Sequence, residues 1–216
     1  MARKKENAVI LSQEMIARDI YSMWIKTDAA KEAVPGQFIS MYTNDGSRLL
    51  PRPISICEIN KMDSSLRVVY RVTGKNTGTE LFSRMKAGDT IPVIGPLGNG
   101  FPYKEASGKK VFLMGGGIGV PPILELVKQM ECGKKQIIMG YRDAETFLKD
   151  EFEKYGEVYV STEDGSVGTR GNVMDAIREN GLEADMIFAC GPTPMLRAIK
   201  EYAEKNTIVC YLSLEE

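Results

Sequence analysis

Histidine is absent from the 216-residue chain. Its absence removes the Ser-His-Asp and Cys-His nucleophilic machineries and every metal or haem site that needs an imidazole ligand, so any chemistry here must be carried by other groups. Cysteine is scarce and scattered: Cys57, Cys132, Cys190 and Cys210 form no C-x-x-C pair. That spacing argues against a zinc knuckle or a disulfide framework, and predicts reduced thiols and no metal ligands. Neither charge sign is in excess, with 28 Lys and Arg against 29 Asp and Glu for a net charge of -1. A nucleic-acid binder carries a basic surplus, so nucleic acid is not an expected partner. No apolar run approaches the roughly 18 residues of a membrane span. The first residues, Met1-Ala2-Arg3-Lys4-Lys5-Glu6, lead into an alternating segment instead of a signal-peptide core. The expected address is the cytoplasm, with no membrane partner. Hydrophobic residues at 43% and charged residues at 26% give enough material for one or two ordinary domains.

The first hundred residues read as short strands, over 7–15, 20–25, 37–42, 54–59, 65–72 and 90–94. They are punctuated by Gly36, Asp45-Gly46, Gly74, Gly88-Asp89 and Gly95-Pro96. Strands at this spacing predict a small antiparallel barrel, residues 1–103, interrupted by one helix over 78–85. From Lys109 the pattern changes to strand-helix alternation. Strands are predicted over 111–114, 136–140, 158–161 and 186–190, and helices over 121–131, 144–155, 172–179 and 194–205. That alternation predicts a doubly wound parallel sheet over 109–208, after a polar linker at 101–108.

Met114-Gly115-Gly116-Gly117-Ile118-Gly119-Val120-Pro121-Pro122 leaves a strand and opens a helix. Glycines there let the backbone approach a diphosphate, and the helix start adds N–H groups and a positive dipole end; a tight turn without ligand is the alternative. Cys190-Gly191-Pro192-Thr193-Pro194 repeats the strand-to-helix setting, so both glycine turns can face one crevice at the strands' carboxyl ends. Cys190 is then either a soft thiol against a planar ring or a small buried apolar residue. In the barrel half, Arg52-Pro53-Ile54-Ser55 is read as placing a cation for phosphate and a hydroxyl for a ring nitrogen on one strand face; a solvated arginine is the alternative. Gly78-Thr79 opens a helix that offers a second anion-binding start.

Arg-Pro-x-Ser at 52–55, Tyr70-Arg71-Val72, Gly78-Thr79, the Gly-Gly-Gly-Ile-Gly-x-Pro run at 115–121 and Cys-Gly-Pro at 190–192, in this order, resemble the ferredoxin-NADP reductase superfamily. The heptapeptide Gly95-Pro96-Leu97-Gly98-Asn99-Gly100-Phe101 further resembles the electron-transfer subunits of type B dihydroorotate dehydrogenases. The resemblance spans nearly the whole chain. It implies an FAD-binding barrel with Arg52 on the pyrophosphate, Pro53 and Ile54 beside it, and Ser55 next to flavin N5. Tyr70, Arg71 and Val72 would follow the flavin and ribityl chain, and Gly78 and Thr79 the phosphates. It implies NAD(H) on the second domain, with Gly115, Gly116, Gly117, Gly119 and Pro121 under the pyrophosphate and Cys190, Gly191 and Pro192 near the nicotinamide. Ser55 and Cys190 would be the side chains at the reacting rings.

The implied function is hydride transfer between NADH and FAD. Onward electron transfer would run through a [2Fe-2S] cluster to an FMN-containing catalytic subunit of dihydroorotate dehydrogenase, in a heterotetramer serving pyrimidine biosynthesis. Members of that family continue past the equivalent of residues 209–216 into a cysteine-rich tail that ligates the cluster. This sequence ends at Glu216 without those cysteines, so 209–216 reads as the poorly ordered start of a truncated segment with no cluster ligands. The loop Gly74-Lys75-Asn76-Thr77 is longer than the family's usual link to Gly-Thr. Two alternatives stand beside this reading: the FAD subunit of an NADH-dependent ferredoxin:NADP oxidoreductase or sulfide dehydrogenase, and a flavin-free binding or assembly module. Arg142 can meet a 2′-phosphate and Asp143 would repel one; the resemblance favours NAD.

Overall fold

The computed structural model describes residues 5–43, 45–46 and 50–214. They form two compact units, Met1–Gly100 and Phe101–Glu216.

The first unit contains β1 (Lys5–Ala17), β2 (Ile20–Lys26), β3 (Phe38–Met41), β4 (Arg52–Asn60), β5 (Ser65–Arg71), α1 (Gly78–Ser83) and β6 (Thr90–Leu97). The strands close into a barrel in the order β1-β2-β5-β4-β3-β6, every neighbouring pair antiparallel. Period-two alternation explains why it closes around a dry interior. Met23 and Ile25, Ile39 and Met41, and Leu66, Val68 and Tyr70 all point inward and are buried. On the opposite face of β5, Arg67 is nearly buried. Its Nη1 lies 2.7 Å from Glu58 Oε2 on β4 and its Nε donates to Ser22 Oγ on β2 at 2.8 Å, so one charge-assisted network ties three adjacent strands.

The second unit contains β7 (Lys110–Gly116), α2 (Pro121–Gln129), β8 (Lys134–Tyr141), α3 (Lys149–Phe152), β9 (Glu157–Thr162), β10 (Thr169–Arg170), α4 (Val173–Glu179), β11 (Met186–Cys190), α5 (Thr193–Asn206) and β12 (Val209–Ser213). All sheet pairs are parallel, in the order β10-β9-β8-β7-β11-β12. The chain winds outward from β7 through β8 and β9, then returns to the other side of β7 as β11. The winding direction therefore reverses between β7 and β11, which opens a crevice at their carboxyl ends. β11 is buried throughout and β7 everywhere but Lys110, as expected of strands covered on both faces.

Three expectations are corrected here. The helix expected over 144–155 shrinks to Lys149–Phe152, because Leu148 adopts the left-handed conformation (φ 67°). The backbone turns there so that Phe147 packs edge-on against Tyr141 and its carbonyl accepts from the Tyr141 hydroxyl at 2.9 Å. Residues 209–213, expected as the poorly ordered start of a separate segment, form edge strand β12, paired with β11 from Met186↔Val209 to Cys190↔Ser213; Tyr211 stacks on Phe188 at 5.2 Å. The linker expected at 101–108 packs onto the second unit: Tyr103–Ala106 forms a 3-10 turn, Phe101 sits edge-on against Phe188, and the Tyr103 hydroxyl bonds Gln129 Oε1 at 3.0 Å.

Candidate functional site

The barrel and the α/β unit each carry one group of candidate residues. In the barrel, Arg52 opens β4 opposite Met41 of β3, and its Nη1 donates to the Leu50 carbonyl at 2.8 Å. Gly78, the first residue of α1, lies directly under it. A Cβ there would sit 3.1 Å from Arg52 Nε, 3.3 Å from Arg52 Cγ and 3.3 Å from Thr43 Cγ2. The glycine thus lets the guanidinium stem lie across the start of α1, concentrating positive potential where a phosphate can be held. Thr79 is buried and spends its hydroxyl locally, accepting from the Thr73 N–H at 3.3 Å and bonding Thr77 Oγ1 at 3.1 Å. Its role toward phosphate is therefore to shape the 73–79 loop.

Two readings in this half are corrected. Arg52 and Ser55 do not share a face. Ile54 and Ile56 turn toward the barrel interior, so the strand alternation puts Arg52 on that side at the barrel mouth, and Pro53 and Ser55 on the other. Ser55 lies half-buried across from Phe38. Tyr70, expected along the flavin and ribityl chain, turns its side chain into the barrel core. It is 1% exposed, stacked on Tyr21 at 5.9 Å, edge-on to Phe82, and its hydroxyl donates to Gln13 Oε1 at 2.7 Å. Burial raises its pKa far above that of an ordinary phenol. Only its backbone can reach a ligand. Arg71 points outward, and Val72 is half-buried with its N–H donating to the Asp19 carbonyl at 2.8 Å. In the heptapeptide, Gly98 (φ 76°) packs where a Cβ would come 3.0 Å from the Phe38 ring, and its carbonyl accepts from Gln37 Nε2 at 3.0 Å. The motif therefore braces β3 opposite Ser55.

In the α/β unit the two glycine turns are brought into contact at the reversal point. A Cβ on Gly119 would lie 2.5 Å from the Cys190 carbonyl oxygen and 2.6 Å from Gly191 Cα; one on Gly115 would lie 2.8 Å from Val120 Cα. Gly117 takes a positive φ of 53°. These glycines are therefore required by backbone-to-backbone packing as well as by any ligand. The start of α2 offers fewer donors than its position suggests. Pro121 and Pro122 have no N–H, and the Val120 N–H is spent on the Gly117 carbonyl at 3.1 Å. What remains is close backbone approach and the helix dipole. Cys190 ends β11 between Gly115 and Ser213 and is fully buried. Pro192, at the start of α5, is exposed.

Sequence reasoning missed Met195. A helical side chain leans toward its own N-terminus, so the third residue of α5 reaches back over the turn. Its sulfur would lie 2.3 Å from a Cβ on Gly116 and 2.9 Å from one on Gly191, which makes the thioether the filler between the two glycine turns. A methionine five residues after Cys190 was the available signal. Also missed was a cavity of about 260 Å³ in the barrel unit, lined by Tyr42, Thr43, Asp45, Leu81, Phe82 and Met85. At the rim of the parallel sheet, the Glu163 N–H donates to the Tyr141 carbonyl at 3.2 Å and the Asp164 N–H to the Arg142 carbonyl at 3.4 Å. Arg142 is thus bordered by Asp143, Glu163 and Asp164. Among the described residues, no three Cys, Asp or Glu side chains converge as metal ligands.

Residues 113–201 match the oxidoreductase NAD-binding domain family. The electron transfer subunit of dihydroorotate dehydrogenase B (NAD(+)) from Bacillus caldolyticus is 42% identical over 218 residues, covering 98% of this chain and 83% of that protein. Its counterpart from Fusobacterium nucleatum is 42% identical over 222 residues, covering 98% and 84%. A structure of an NADH-dependent reduced ferredoxin-NADP oxidoreductase superposes with a TM-score of 0.83 at 29% identity, covering all of this chain and 78% of that one. A ferredoxin NADP+ reductase from Neisseria gonorrhoeae with bound FAD and NADP superposes at 0.81 with 16% identity over 98% and 99%, a likeness of fold. With two relatives at 42% identity over nearly its full length, the chain belongs to the family of dihydroorotate dehydrogenase B electron transfer subunits.

Proposed function

We propose that this chain is the flavoprotein subunit that exchanges electrons between NAD(H) and a dihydroorotate dehydrogenase catalytic subunit, holding FAD on the barrel and NAD(H) on the α/β unit. The observation that carries the proposal is the contact of two glycine turns at the β7/β11 reversal, in a chain whose relatives are named as these subunits. FAD, when bound, exchanges a hydride with nicotinamide and releases or takes electrons one at a time, so the protein needs no acid-base residue of its own. The chain's residues bind and orient. Arg52 over Gly78 fits a diphosphate, because the absent Cβ leaves room for the guanidinium at the start of α1. Ser55, on the other strand face, is assigned as the hydroxyl donor to the flavin ring, with Pro53 and Ile54 setting the strand between cation and hydroxyl.

Gly115, Gly116, Gly117 and Gly119 admit the second diphosphate against bare backbone, and Pro121 fixes the start of α2. Cys190, Gly191 and Pro192 are assigned to the nicotinamide end, with Met195 as the floor between the turns. The acidic rim around Arg142 favours a ribose hydroxyl over a 2′-phosphate, hence NAD over NADP. The same sites serve transfer in either direction, and the relatives' names carry NAD(+) as the oxidised partner. The catalytic partner is assigned as the FMN-containing subunit, assembled with this chain as a heterotetramer. A [2Fe-2S] relay between the flavins belongs to the family resemblance.

The test is a visible spectrum of the purified protein followed by anaerobic NADH addition. Flavin bands that bleach on NADH support the proposal, and a colourless protein that takes up no FAD overturns it. A second reading, the flavin subunit of a ferredoxin-NADP oxidoreductase, is favoured by the 0.83 superposition. Assay of orotate-linked against ferredoxin-linked turnover with each partner separates the two.

A further inference from the structure

We propose that Gln13 is a positioning residue for the barrel's diphosphate site: it holds the C-terminal end of α1 so that Gly78, at the other end, stays under Arg52. The inference rests on the FAD reading above and adds to it a residue outside the diphosphate site.

Strand register puts Gln13 where an amide must find partners. It sits opposite Met23, which in turn sits opposite Val68, and paired residues of antiparallel strands share a face. Met23 and Val68 belong to the barrel core, so Gln13 turns toward the interior as well. A polar group placed there destabilises the fold unless it is hydrogen-bonded. Its Nε2 donates to the Phe82 carbonyl at 3.0 Å and to the Met85 carbonyl at 2.8 Å, and its Oε1 accepts from the Tyr70 hydroxyl at 2.7 Å. Both amide hydrogens are thus engaged. The sense of the amide is fixed, because a flipped one would set its oxygen against two carbonyls.

The two donated bonds converge on one end of one element. Phe82 lies in the last turn of α1 and Met85 two residues past it. With six residues, about 9 Å of helix, α1 is too short to keep its place through its own hydrogen bonds. The loop leading into it gives little hold. Thr73, Gly74, Lys75 and Asn76 are exposed. Thr77 Oγ1 donates to the Gly74 carbonyl and the Asn76 N–H to Glu80, bonds that stay within the loop and α1. The grip on the barrel is at the far end, where Gln13 holds two carbonyls and the Tyr70 ring meets the Phe82 ring edge-on at 6.1 Å. Where those carbonyls are held therefore decides where Gly78 lies. Clearance there is small, since a Cβ on Gly78 would come 3.1 Å from Arg52 Nε and 3.3 Å from Thr43 Cγ2. A shift of α1 by a fraction of an ångström moves Gly78 against the guanidinium, and a diphosphate must then restore the alignment at the expense of affinity.

The experiment measures FAD dissociation constants by flavin fluorescence for the wild type, Gln13→Glu and Gln13→Met, at about pH 7.5 and about pH 5.5. Urea unfolding of the same preparations is followed through Trp24. Glutamate keeps the shape and the acceptor for Tyr70; ionised it has lost both donated bonds, and protonated it recovers one. Burial and the facing carbonyls raise its pKa toward the acid condition. Tyr70 does not titrate there, since burial already raises its phenol above the ordinary value. Gln13→Glu should bind FAD about tenfold more weakly than the wild type near neutrality, with the gap closing to about threefold in acid. Gln13→Met has no donor at either pH and buries no charge, so it should show the full loss at both, and it decides if Gln13→Glu fails to fold. Lower urea midpoints with FAD affinity unchanged in the folded variants would show a purely structural role and overturn the proposal. A Gln13→Glu deficit equal at both pH values also overturns it, because the donated bonds would then not be what matters. In either case a wild type that takes up FAD leaves the cofactor reading standing. A wild type that takes up none overturns that reading and this one with it.

Discussion

Arg52 and Gly119 show how one position can be demanded by chemistry and by packing. Arg52 is assigned the strongest positive charge at the barrel's diphosphate. Arg52→Ala should therefore remove a charge-assisted interaction of roughly 1.5 to 3 kcal/mol, about ten- to hundredfold in FAD affinity, measured as flavin retained through dilution and gel filtration. Stoichiometric flavin in the variant would count against the assignment. Gly119 is held by backbone, since a Cβ 2.5 Å from the Cys190 carbonyl has no side chain to push aside. Gly119→Ala should separate the two turns and abolish NADH reduction of the flavin while leaving FAD bound. Cys190→Ala is subtler: with the thiol buried at the crevice, hydride transfer should slow at constant FAD content, and a wild-type rate in stopped flow would make Cys190 core filler.

Strands and helices of the two units are fastened by different means. In the barrel, Glu58 and Arg67 form an ion pair whose side chains are 14% and 8% exposed, with Ser22 on the guanidinium. Removing one partner strands the other charge, so Glu58→Ala should cost about 3 to 5 kcal/mol in urea unfolding, and adding Arg67→Met should recover most of it. No recovery in the double variant would mean the network matters through more than its charges. In the α/β unit, α4 begins with a capping box: Asn172 accepts from the Met174 N–H at 2.9 Å and Asp175 accepts from the Asn172 N–H at 2.8 Å. That backbone donor, helped by Arg178, holds the Asp175 carboxyl below its ordinary range. A lowered folded pKa means the contribution is complete above the unfolded value and is lost as pH falls through the folded one. Asp175→Ala should cost about 1 kcal/mol near neutrality, and the gap to the wild type should close toward acid pH. A gap constant with pH would remove the carboxylate from the account.

For the chain as one protein, the expectation is division of labour: flavin on the barrel unit, nicotinamide on the α/β unit, chemistry supplied by cofactors. Bound flavin should be reduced by NADH much faster than by NADPH, because the rim formed by Asp143, Glu163 and Asp164 around Arg142 repels a 2′-phosphate. Equal stopped-flow rates with the two would show that Arg142 governs the rim. Asp164 is held anionic by the Ser166 hydroxyl at 2.7 Å and the Ser166 N–H at 2.9 Å, so the repulsion should persist over the neutral range.

Local patterns were enough to set out the barrel, the parallel sheet and the two glycine turns. Alternation and turn residues are short-range properties, and Gly-Gly-Gly-Ile-Gly between a strand and a helix marks a tight turn whether or not it holds a ligand. The absence of histidine showed only that any chemistry is carried by groups other than imidazole; cofactors entered through the family resemblance. Other facts depend on what lies across space. Tyr70 went inward because Leu66 and Val68 set the alternation on β5, and Arg52 and Ser55 parted onto opposite faces for the same reason on β4. The helix at 144–155 was cut short by the Tyr141 contact with Phe147, and 209–213 became a strand because β11 presented an open edge to it. Met195 between the turns and the cavity beside Thr43 each join residues separated along the chain. Periodicity reports which face a side chain occupies. Which partner waits on that face is set only when distant elements pack, and here that packing made a crevice and a cavity from otherwise ordinary residues.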